Sequence, residues 1–492
     1  MTKLAFIGID VGTSGIKALA VDLEGNILAS HNEHLNIIIQ KPGWTEQNPL
    51  EWWSATVKSL KAISQSLKSQ KVNFLSIGLS GQMHSLVILD KNDNPLDNAI
   101  LWNDGRTTEE CNFIKERSGE NLGKITGNPA LEGFTAPKII WLKNNKPKLF
   151  SKIKHMMMPK DYIRFKLTGE KFSEPTDASG TLLYDIHKNK WSSTMSSILD
   201  IDVSLFPKII TSNDISGYLK KDIAEQTGLK NTIPIVAGSA DNACASLGAG
   251  VLNEGSLMLT VGTSGAVVAP STKPEFDPLL RVHLMRHVSP KTWYKMGVIL
   301  SAGGALDWWS KISDVKNIQD LINEIPDNPK KKEDILFLPY ITGERTPYAN
   351  PKARGVFFGL NAKTSRADLT YSVLQGIALA LRDSLNLIST KNKINNAVLV
   401  GGGAKSKKWQ KIIADTLQLN IMLIGQSEGA SLGAAMLASC YSKEYFNSIN
   451  EVASNWISVK DKIEPNHNES DYYSELHSRY SNLYNSIKSE YE

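Results

Sequence analysis

One pentapeptide occurs twice in the chain, and this repeat constrains the fold more than any other feature of the sequence. VGTSG occupies Val11–Gly15 and again Val261–Gly265, about half of the 492-residue chain apart. Each copy lies between two apolar runs typical of strands, so each predicts a β-hairpin with glycine in its turn. Identical loops in matching contexts predict two related halves, each beginning with an antiparallel meander.

The length of the chain agrees with two domains, because 492 residues exceed what one hydrophobic core usually organises. The expected domains are residues 1–247 and 248–492. No run approaches 18 consecutive apolar residues, so no membrane span is expected. The formal net charge of +5 is spread along the chain, and its tightest basic run, Lys330–Lys332, is interpreted as a solvated loop. A nucleic-acid partner is therefore not expected.

The cysteines and the N-terminus bear on the cellular compartment. Cys111, Cys244 and Cys440 are odd in number and far apart, so they form no metal or redox spacing. The first apolar run ends at Asp10 without a cleavage-type region and is not a signal peptide. Both features suit a reducing cytoplasm, where a protein of this kind is expected.

The two hairpins suit the binding of phosphate groups. Glycine lets the backbone approach an anion closely, and each loop offers N–H groups and two hydroxyls. Two such loops in two related halves predict a nucleotide held between them. The alternative is a pair of coincidental hairpin turns, which a five-residue identity in matching contexts disfavours.

The two copies differ at the residue that precedes VGTSG. Asp10 precedes the first copy and Thr260 the second. A carboxylate at the end of a buried strand, beside a phosphate loop, suits a magnesium site completed by phosphate oxygens and water. Read alone, Asp10 would more often cap its own turn.

A third glycine cluster lies in the second half. The strand-like run Ala397–Val400 leads into Gly401–Ala404, and a helix is predicted over Lys405–Leu419. Glycines between a strand and a helix N-terminus commonly hold a nucleotide, although such turns also serve only to pack a strand against a helix.

Asp241 is the candidate general base. It follows the strand-like run Ile233–Ala237 and a short turn, and it opens a helix of small residues near the middle of the chain. An aspartate in this place is commonly an N-cap. Its position just before the second hairpin favours a carboxylate that accepts the proton of an attacking hydroxyl.

Polar groups in the first half suit a ligand with many hydroxyls. Gly81–His84 joins two strand-like runs, and Trp102–Arg106 follows a third. Trp102 offers an apolar wall, while His84, Asn103 and Asp104 can bind hydroxyl groups. The alternatives are a locally hydrogen-bonded His84 and a structural ion pair between Asp104 and Arg106.

At these segments the sequence resembles the FGGY carbohydrate kinases. The resemblance runs from about Ile7 to Leu419, in the family's order, and implies an α/β, actin-like ATPase fold (ribonuclease H-like) with two domains and an interdomain cleft. The motifs that carry it are IGIDVGTSGIK, SGQMHSLVILD, ILWNDGRT, GFTAPKIIWL, the Asp241-Asn242 segment, GERTP with PKARGVFFGL, and GGGAKSKKW.

The resemblance also implies roles for individual residues, with ATP and Mg²⁺ as cofactors. Asp241 is the implied catalytic base, and Asp10 is the implied carboxylate for magnesium. The implied sugar-binding residues are Met83, His84, Asp104, Asp241 and Asn242. The implied nucleotide-binding residues are Thr13, Ser14, Thr263, Ser264, Gly303, Gly402, Gly403 and Ala404.

Within the family, GQMH followed by WNDGRT, and GERTP before NPKARG, favour phosphorylation of D-xylulose to D-xylulose 5-phosphate over glycerol or ribulose. Gluconate is the rival substrate, since kinases acting on it share a similar MHS. Tyr348 departs from the histidine that often follows GERTP. Filament-forming or chaperone ATPases share the architecture, but they have no need for GQMH and WNDGR in a pocket. A sugar sensor would have no reason to keep both Asp10 and Asp241.

The C-terminal segment carries an apolar stripe at helical spacing. It is interpreted as core or as a docking surface, and a homodimer is expected. The stripe consists of Tyr473, Leu476, Tyr480, Leu483, Ile487 and Tyr491.

The difference between the two hairpins is testable. Asp10→Ala should cripple magnesium-dependent turnover, whereas Thr260→Ala should be mild, because only the first copy offers a carboxylate to the metal. Titrating magnesium in an activity assay with both variants measures this difference, and equal defects would contradict the interpretation of the repeat.

Overall fold

The computed structural model describes residues 2–327, 335–388, 392–425 and 428–491. The basic run Lys330–Lys332 lies outside these residues. No helix in the described ranges combines the length and the apolar composition that crossing a bilayer requires.

The first half is built on a seven-stranded sheet. Its strand order is β5-β6-β4-β1-β2-β3, and β7 pairs with the end of β4. Strands β1, β4 and β6 are parallel, whereas β2, β3 and β5 run antiparallel to their neighbours. The strands are β1 Lys3–Val11, β2 Gly15–Asp22, β3 Ile27–His34, β4 Val72–Gly81, β5 Ile215–Tyr218, β6 Pro234–Val236 and β7 Ser239–Ala240.

The second half has a seven-stranded sheet of order β10-β11-β9-β8-β12-β13-β14. The strands are β8 Ser256–Val261, β9 Gly265–Ser271, β10 His283–Arg286, β11 Trp293–Ile299, β12 Asn396–Gly401, β13 Asn420–Ile424 and β14 Val459–Ile463. Five two-stranded pairs complete the strands: Glu46–Gln47 with Ala99–Ile100, Val87–Leu89 with His155–Met157, Phe172–Ser173 with Lys208–Ile209, Tyr184–Asp185 with Lys190–Trp191, and Leu336–Leu338 with Val356–Phe358.

The two sheets repeat one pattern of strand pairing. In each half the strand before VGTSG pairs antiparallel with the strand after it and parallel with a later strand. That later strand pairs parallel with a further strand, and an antiparallel strand closes the edge. The predicted hairpins and the two related α/β halves are therefore confirmed. The predicted meander is present in the first half, as β1-β2-β3, but not in the second, where β9 pairs with β11 and the intervening strand β10 lies at the edge.

Eleven described helices exceed seven residues. They are α1 Pro49–Ser66, α2 Thr108–Ser118, α3 Thr135–Asn145, α4 Pro159–Thr168, α5 Asp241–Gly248, α6 Gly303–Ile312, α7 Arg366–Leu387, α8 Lys407–Leu417, α9 Ala430–Ser439, α10 Ile449–Trp456 and α11 Ser470–Ile487. Shorter helices cover Pro147–Phe150, Pro175–Ala178, Ser193–Leu199, Lys221–Thr227 and Ile318–Glu324. Helices α1 and α4 cover one face of the first sheet, and α7 and α8 pack with the second sheet.

Helix α9 comes from the second half of the chain but packs on the sheet of the first. Glycines bring the backbones into contact there: a Cβ at Gly8 would lie 2.0 Å from Ser431 O, and one at Gly78 would lie 2.0 Å from Ala434 O. On its other side, a Cβ at Gly433 would lie 1.9 Å from Cys244 O in α5. Helix α9 is thus wedged between the first sheet and the helix that begins with Asp241.

The C-terminal stripe packs inside the molecule. Tyr473, Leu476, Tyr480 and Leu483 of α11 are buried in the core of the second half. The Tyr480 hydroxyl lies 3.0 Å from that of Tyr340. For these four residues, the interpretation of the stripe as core is therefore the one that the structure supports.

Gly433 gives a test of the close packing of α9. Gly433→Ala should lower the free energy of unfolding by about 1–3 kcal/mol, because the added methyl group meets backbone atoms that cannot rotate away. The shift of the urea midpoint measures this effect. Gly105→Ala is the matched control, since its Cβ would lie 3.7 Å from the nearest atom, and it should change stability by less than about 0.5 kcal/mol. Equal shifts for both variants would contradict the packing argument.

Candidate active site

The carboxyl ends of β1, β4 and β7 bring two aspartates to one edge of the first sheet. Asp10 lies beside Ser80 in the register of β1 and β4, and Ser239 lies beside Ser80 in the register of β7 and β4. Asp241 follows directly on β7 as the first residue of α5. Because parallel strands end at the same edge, residues distant in sequence become neighbours here.

Both carboxyl groups are poorly solvated. Burial raises the pKa of Asp10 to about 6, against the opposing effects of Ser80 and Lys17. Burial and the nearby charge of Asp10 raise the pKa of Asp241 to about 7. The Asn242 backbone N–H and side-chain amide donate to Asp241 Oδ1 at 2.6 and 3.0 Å. Two carboxyl groups that disfavour each other's charge are suited to exchanging a proton or sharing a cation.

A buried polar network fixes the turn that precedes Asp241. Arg164 Nη1 donates to Ala237 O at 2.6 Å. The Ala240 N–H donates to Thr176 Oγ1 at 2.7 Å, and that hydroxyl donates to Glu174 Oε1 at 2.6 Å. The network thus determines where the Asp241 backbone lies.

Further buried charges compensate one another within this network. Lys160 Nζ lies 2.7 Å from Asp161, 3.3 Å from Asp177 and 3.6 Å from Glu174. Asp161 also lies 3.0 Å from Arg164. Buried ions of this kind are tolerated only when each has partners of opposite charge.

A small cavity of about 150 Å³ opens in front of Asp241, and both halves contribute to its wall. The first half supplies Met83, His84, Trp102, Gly133, Phe134, Asp241 and Asn242, and the second half supplies Ser264, Gly265, Ala266, His283, Met285, Met296, Val298 and Arg345.

His84 is held in the cavity as a neutral ring. Its Nδ1 lies 2.7 Å from Gly180 O, and since a carbonyl only accepts, Nδ1 carries the proton. Burial lowers the pKa of His84 to about 3, so Nε2 is an acceptor at neutral pH. A Cβ at Gly180 would lie 2.5 Å from Nδ1, which leaves room only for glycine. The Phe134 ring lies 4.5 Å from the imidazole, centroid to centroid.

Met83 and Asn242 form the adjoining part of the wall. Asn242 Nδ2 lies 3.6 Å from Met83 Sδ, and the Tyr294 hydroxyl lies 4.0 Å from the same sulfur. Tyr294 belongs to β11, so the two halves touch directly beside Asp241.

Asp104 does not line this cavity. Its carboxylate accepts hydrogen bonds from the Thr45 N–H at 2.6 Å and from Arg106 at 2.7 and 2.8 Å. These contacts are those of a structural ion pair, and they shape the turn that carries Trp102. Trp102 does line the cavity, and its Nε1 donates to Thr13 Oγ1 at 2.9 Å. A sugar-binding role of Asp104 stays a prediction.

A second cavity of about 380 Å³ lies on the other side of the second hairpin. Three glycine-containing loops meet there. Gly303 N–H donates to Gly262 O at 2.7 Å, and a Cβ at Gly403 would lie 2.8 Å from Val261 Cβ. The wall consists of Val261, Gly262, Thr263, Gly303, Leu306, Asp307, Ile318, Gln319, Ile322, Gly402, Gly403, Lys405, Ser406 and Trp409.

The second hairpin separates the two cavities. Thr263 lines the larger cavity and the adjacent Ser264 lines the smaller one. In the first hairpin, Ser14 is exposed at the tip, next to Thr13. Ala404 lies in the glycine turn without lining either cavity.

The sequence did not single out Phe134, His283, Arg345 or Gly180. Only Phe134 and Arg345 lie within motifs that carry the family resemblance.

Comparison with protein families accounts for most of the chain. Residues 5–248 match the N-terminal domain, and residues 257–441 the C-terminal domain, of the FGGY family of carbohydrate kinases. The chain belongs to this family. A sugar and ATP are therefore its two substrates, and the two-domain α/β fold expected from the resemblance is confirmed.

Individual relatives agree over nearly the full length. The chain is 36% identical to the xylulose kinase of Staphylococcus xylosus over 481 residues, which cover 97% of this chain and 99% of that kinase. The crystal structure of a xyloylose kinase from Brucella ovis is 34% identical, with a TM-score of 0.93 and 99% of each chain covered. A gluconate kinase structure from Lactobacillus acidophilus is 26% identical, with a TM-score of 0.94 and coverage of 100% and 99%.

The raised pKa of Asp241 predicts a pH-dependent cost to stability. Its folded-state pKa of about 7 exceeds the ordinary value of 3.8. Between pH 3.8 and about 7, Asp241 is therefore protonated in the folded state but ionised in the unfolded state. Above about pH 7 it is ionised in both states, and the full cost of the poorly solvated charge then lowers the free energy of unfolding. Asp241→Asn should stabilise the protein without ligands by about 2 kcal/mol at pH 8, and this gain should shrink toward pH 4.

Thermal unfolding across this pH range measures the effect. Asp200→Asn is the control, because the exposed Asp200 pairs with Lys143 and its pKa is lowered, so this change should give no gain at pH 8. A gain for Asp241→Asn that is independent of pH would contradict the electrostatic explanation.

Proposed function

We propose that the chain transfers the γ-phosphoryl group of ATP to the C5 hydroxyl of D-xylulose, giving D-xylulose 5-phosphate and ADP. The observation that carries the proposal is the pair of cavities on either side of the second hairpin, with Asp241 in the wall of the smaller one. The choice of D-xylulose is supported by relatives named as xylulose kinases at 36% identity over nearly the whole chain.

In this mechanism the smaller cavity takes the sugar and the larger one takes the nucleotide. Asp241 Oδ2 accepts the proton of the C5 hydroxyl while that oxygen attacks the γ-phosphorus. The bond from the γ-phosphorus to the β–γ bridging oxygen breaks, and ADP leaves. A pKa of about 7 in Asp241 suits this role, since the group is a stronger base than an ordinary aspartate yet is largely ionised above pH 7.

Other residues bind and orient the two substrates. His84 Nε2 accepts a hydrogen bond from a sugar hydroxyl, and Asn242 and Met83 contact the sugar beside it. Thr13, Ser14, Thr263 and Ser264 offer hydroxyl groups to the phosphates. Gly402, Gly403 and Ala404 lie beside the adenosine, with Gly303 packed against the second hairpin. Closing the cleft aligns the reactants and excludes water, which competes as an acceptor.

Asp10 is the residue proposed to hold Mg²⁺ with the ATP phosphates. Its Oδ1 is buried and accepts no hydrogen bond from the described residues, which fits a carboxylate that has a cation as its partner. The metal would supply positive charge beside the phosphates. A homodimer and a cytoplasmic location stay predictions from the sequence.

A coupled ADP-release assay with a panel of sugars tests the function. D-Xylulose should stimulate ADP release strongly, whereas gluconate, glycerol and L-ribulose should do little, and ATP turnover without sugar should be slow. Asp241→Asn should lower kcat by about 100-fold or more, because it removes the base while leaving sugar and ATP binding largely intact.

The other outcomes distinguish the alternatives. A preference for gluconate would make the chain a gluconate kinase of the same fold, as for the Lactobacillus acidophilus structure. Brisk ATP hydrolysis that is indifferent to every sugar would indicate an ATP-driven machine. Near-normal turnover of a folded Asp241→Asn protein would leave Asp241 as an N-terminal helix residue only.

A further inference from the structure

The smaller cavity contains a cation that the proposed mechanism does not use. Arg345 lines its wall together with His84, Phe134 and His283. It belongs to the second half of the chain, whereas Asp241, Asn242 and His84 belong to the first. A sugar in this cavity would therefore lie between groups from both halves.

The backbone of Arg345 is fixed to the end of β11. Glu344 Oε1 accepts hydrogen bonds from the Leu300 N–H at 2.9 Å and the Arg345 N–H at 2.7 Å. Thr346 donates its N–H to Val298 O at 2.9 Å and accepts the Val298 N–H at its hydroxyl at 3.0 Å. Residues on both sides of Arg345 are thus held, and the side chain is presented to the cavity from a rigid base.

The guanidinium group of Arg345 has no hydrogen-bond acceptor among the described residues. Four other arginines pair with carboxylates: Arg106 with Asp104, Arg164 with Asp161, Arg281 with Asp277 and Arg366 with Glu324. Arg345 is half-buried, and its guanidinium group carries no acceptor and five N–H donors, which are costly to leave unpaired once a ligand displaces water from the cavity. A ligand with an acceptor oxygen would satisfy them.

In the described part of the chain, no hydrogen bond joins the guanidinium group to the two imidazole rings or to the carboxylate near it. His84 and His283 are both neutral, because burial lowers the pKa of His84 to about 3 and that of His283 well below its usual value. His84 Nδ1 donates to Gly180 O, and His283 Nδ1 lies 3.1 Å from Asn128 Oδ1. The nearby carboxylate of Glu132 accepts a hydrogen bond from Thr108 Oγ1 at 3.1 Å.

Arg345 lies away from the reacting end of the cavity. Together with His283 it also lines a neighbouring cavity that is bounded by Leu122, Leu279 and Pro347. Asp241 instead adjoins Asn242 and Met83, next to the second hairpin. A ligand whose reacting hydroxyl meets Asp241 would therefore extend its other end toward Arg345.

The chemistry of a 2-ketopentose determines what that other end carries. The ring form of such a sugar closes through the C5 oxygen itself, so a sugar with a free C5 hydroxyl is in its open-chain form. The open-chain form has a carbonyl oxygen at C2, which accepts hydrogen bonds and cannot donate them. A guanidinium group, which only donates, is complementary to it.

We propose that Arg345 is a specificity-determining residue that donates hydrogen bonds to the C2 carbonyl oxygen of the open-chain ketose. This inference rests on the proposed function. It gives the second half of the chain a direct contact with the sugar, and it explains how the cavity distinguishes a ketose from the corresponding polyol. In a polyol the C2 hydroxyl also carries a hydrogen, and a guanidinium group has no acceptor for it, so that donor is left unpaired.

The test compares D-xylulose with xylitol, in which the carbonyl is reduced to a hydroxyl. The kcat/KM for D-xylulose and the inhibition constant of xylitol are measured for the wild type, Arg345→Met and Arg345→Lys. Arg345→Met should lower kcat/KM for D-xylulose about 30- to 100-fold, as expected for the loss of hydrogen bonds from a charged group. It should change the xylitol constant by less than about 3-fold, and the KM for ATP should stay unchanged. Arg345→Lys should restore part of the preference, because it returns a donor without the planar geometry.

Arg281→Met is the matched control. Arg281 is also an arginine of the second half, but it pairs with Asp277 and does not line the sugar cavity, so the preference for the ketose should persist. Thermal unfolding of each variant confirms that it is folded. A parallel loss of D-xylulose and xylitol binding in Arg345→Met, with no rescue by lysine, would mean that Arg345 only supports the wall, and the inference would be wrong. A wild type that does not phosphorylate D-xylulose would instead contradict the proposed function.

Discussion

The structure of the site depends on two half-buried carboxyl groups held at one edge of the first sheet. Burial makes both groups costly to ionise: it raises the pKa of Asp10 to about 6 and, together with the charge of Asp10, the pKa of Asp241 to about 7. Their positions are fixed by parallel strands that end at one edge and by the buried network around Lys160. The fold thus maintains a site that is unfavourable without its ligands, which is common where charge must be neutralised by substrate and cation.

The repeat accounts for the position of the two cavities on either side of the second hairpin. In the first sheet Val11 pairs with Gly81, and in the second sheet Val261 pairs with Gly401. The loop after Gly81 carries Met83 and His84, whereas the loop after Gly401 carries two further glycines. Corresponding loops of the two halves therefore line the smaller and the larger cavity, respectively. The first loop presents side chains to its cavity, whereas the lack of side chains in the second leaves room for a ligand to approach the backbone closely.

The sequence predicted those parts of the structure that local patterns encode. The hairpins, the strand before Asp241 and the glycine turn before α8 follow from residues close in the chain. The packing of α9 on the first sheet joins Gly8 and Ser431, more than 400 positions apart, and no local pattern indicates it. Arg345 was missed for a related reason, because its lack of an acceptor shows only when its surroundings are folded. For Asp104, the ion pair with Arg106 was weighed as an alternative and is the contact that the structure contains.

The polypeptide passes from one half to the other at three connections, and their positions bear on how the two halves can rotate against each other. Helix α9 packs as part of the first half, because backbone meets backbone at Gly8, Gly78 and Gly433. Helix α10 does so as well, since Trp456 Nε1 donates to Leu23 O at 2.9 Å and its ring lies 6.1 Å from Phe6. The crossings therefore lie after α5, before α9 and after α10. Two of them touch, because a Cβ at Gly250 would lie 3.3 Å from Ile457. A rotation of one half against the other would therefore turn about the two crossings that touch, after α5 and after α10.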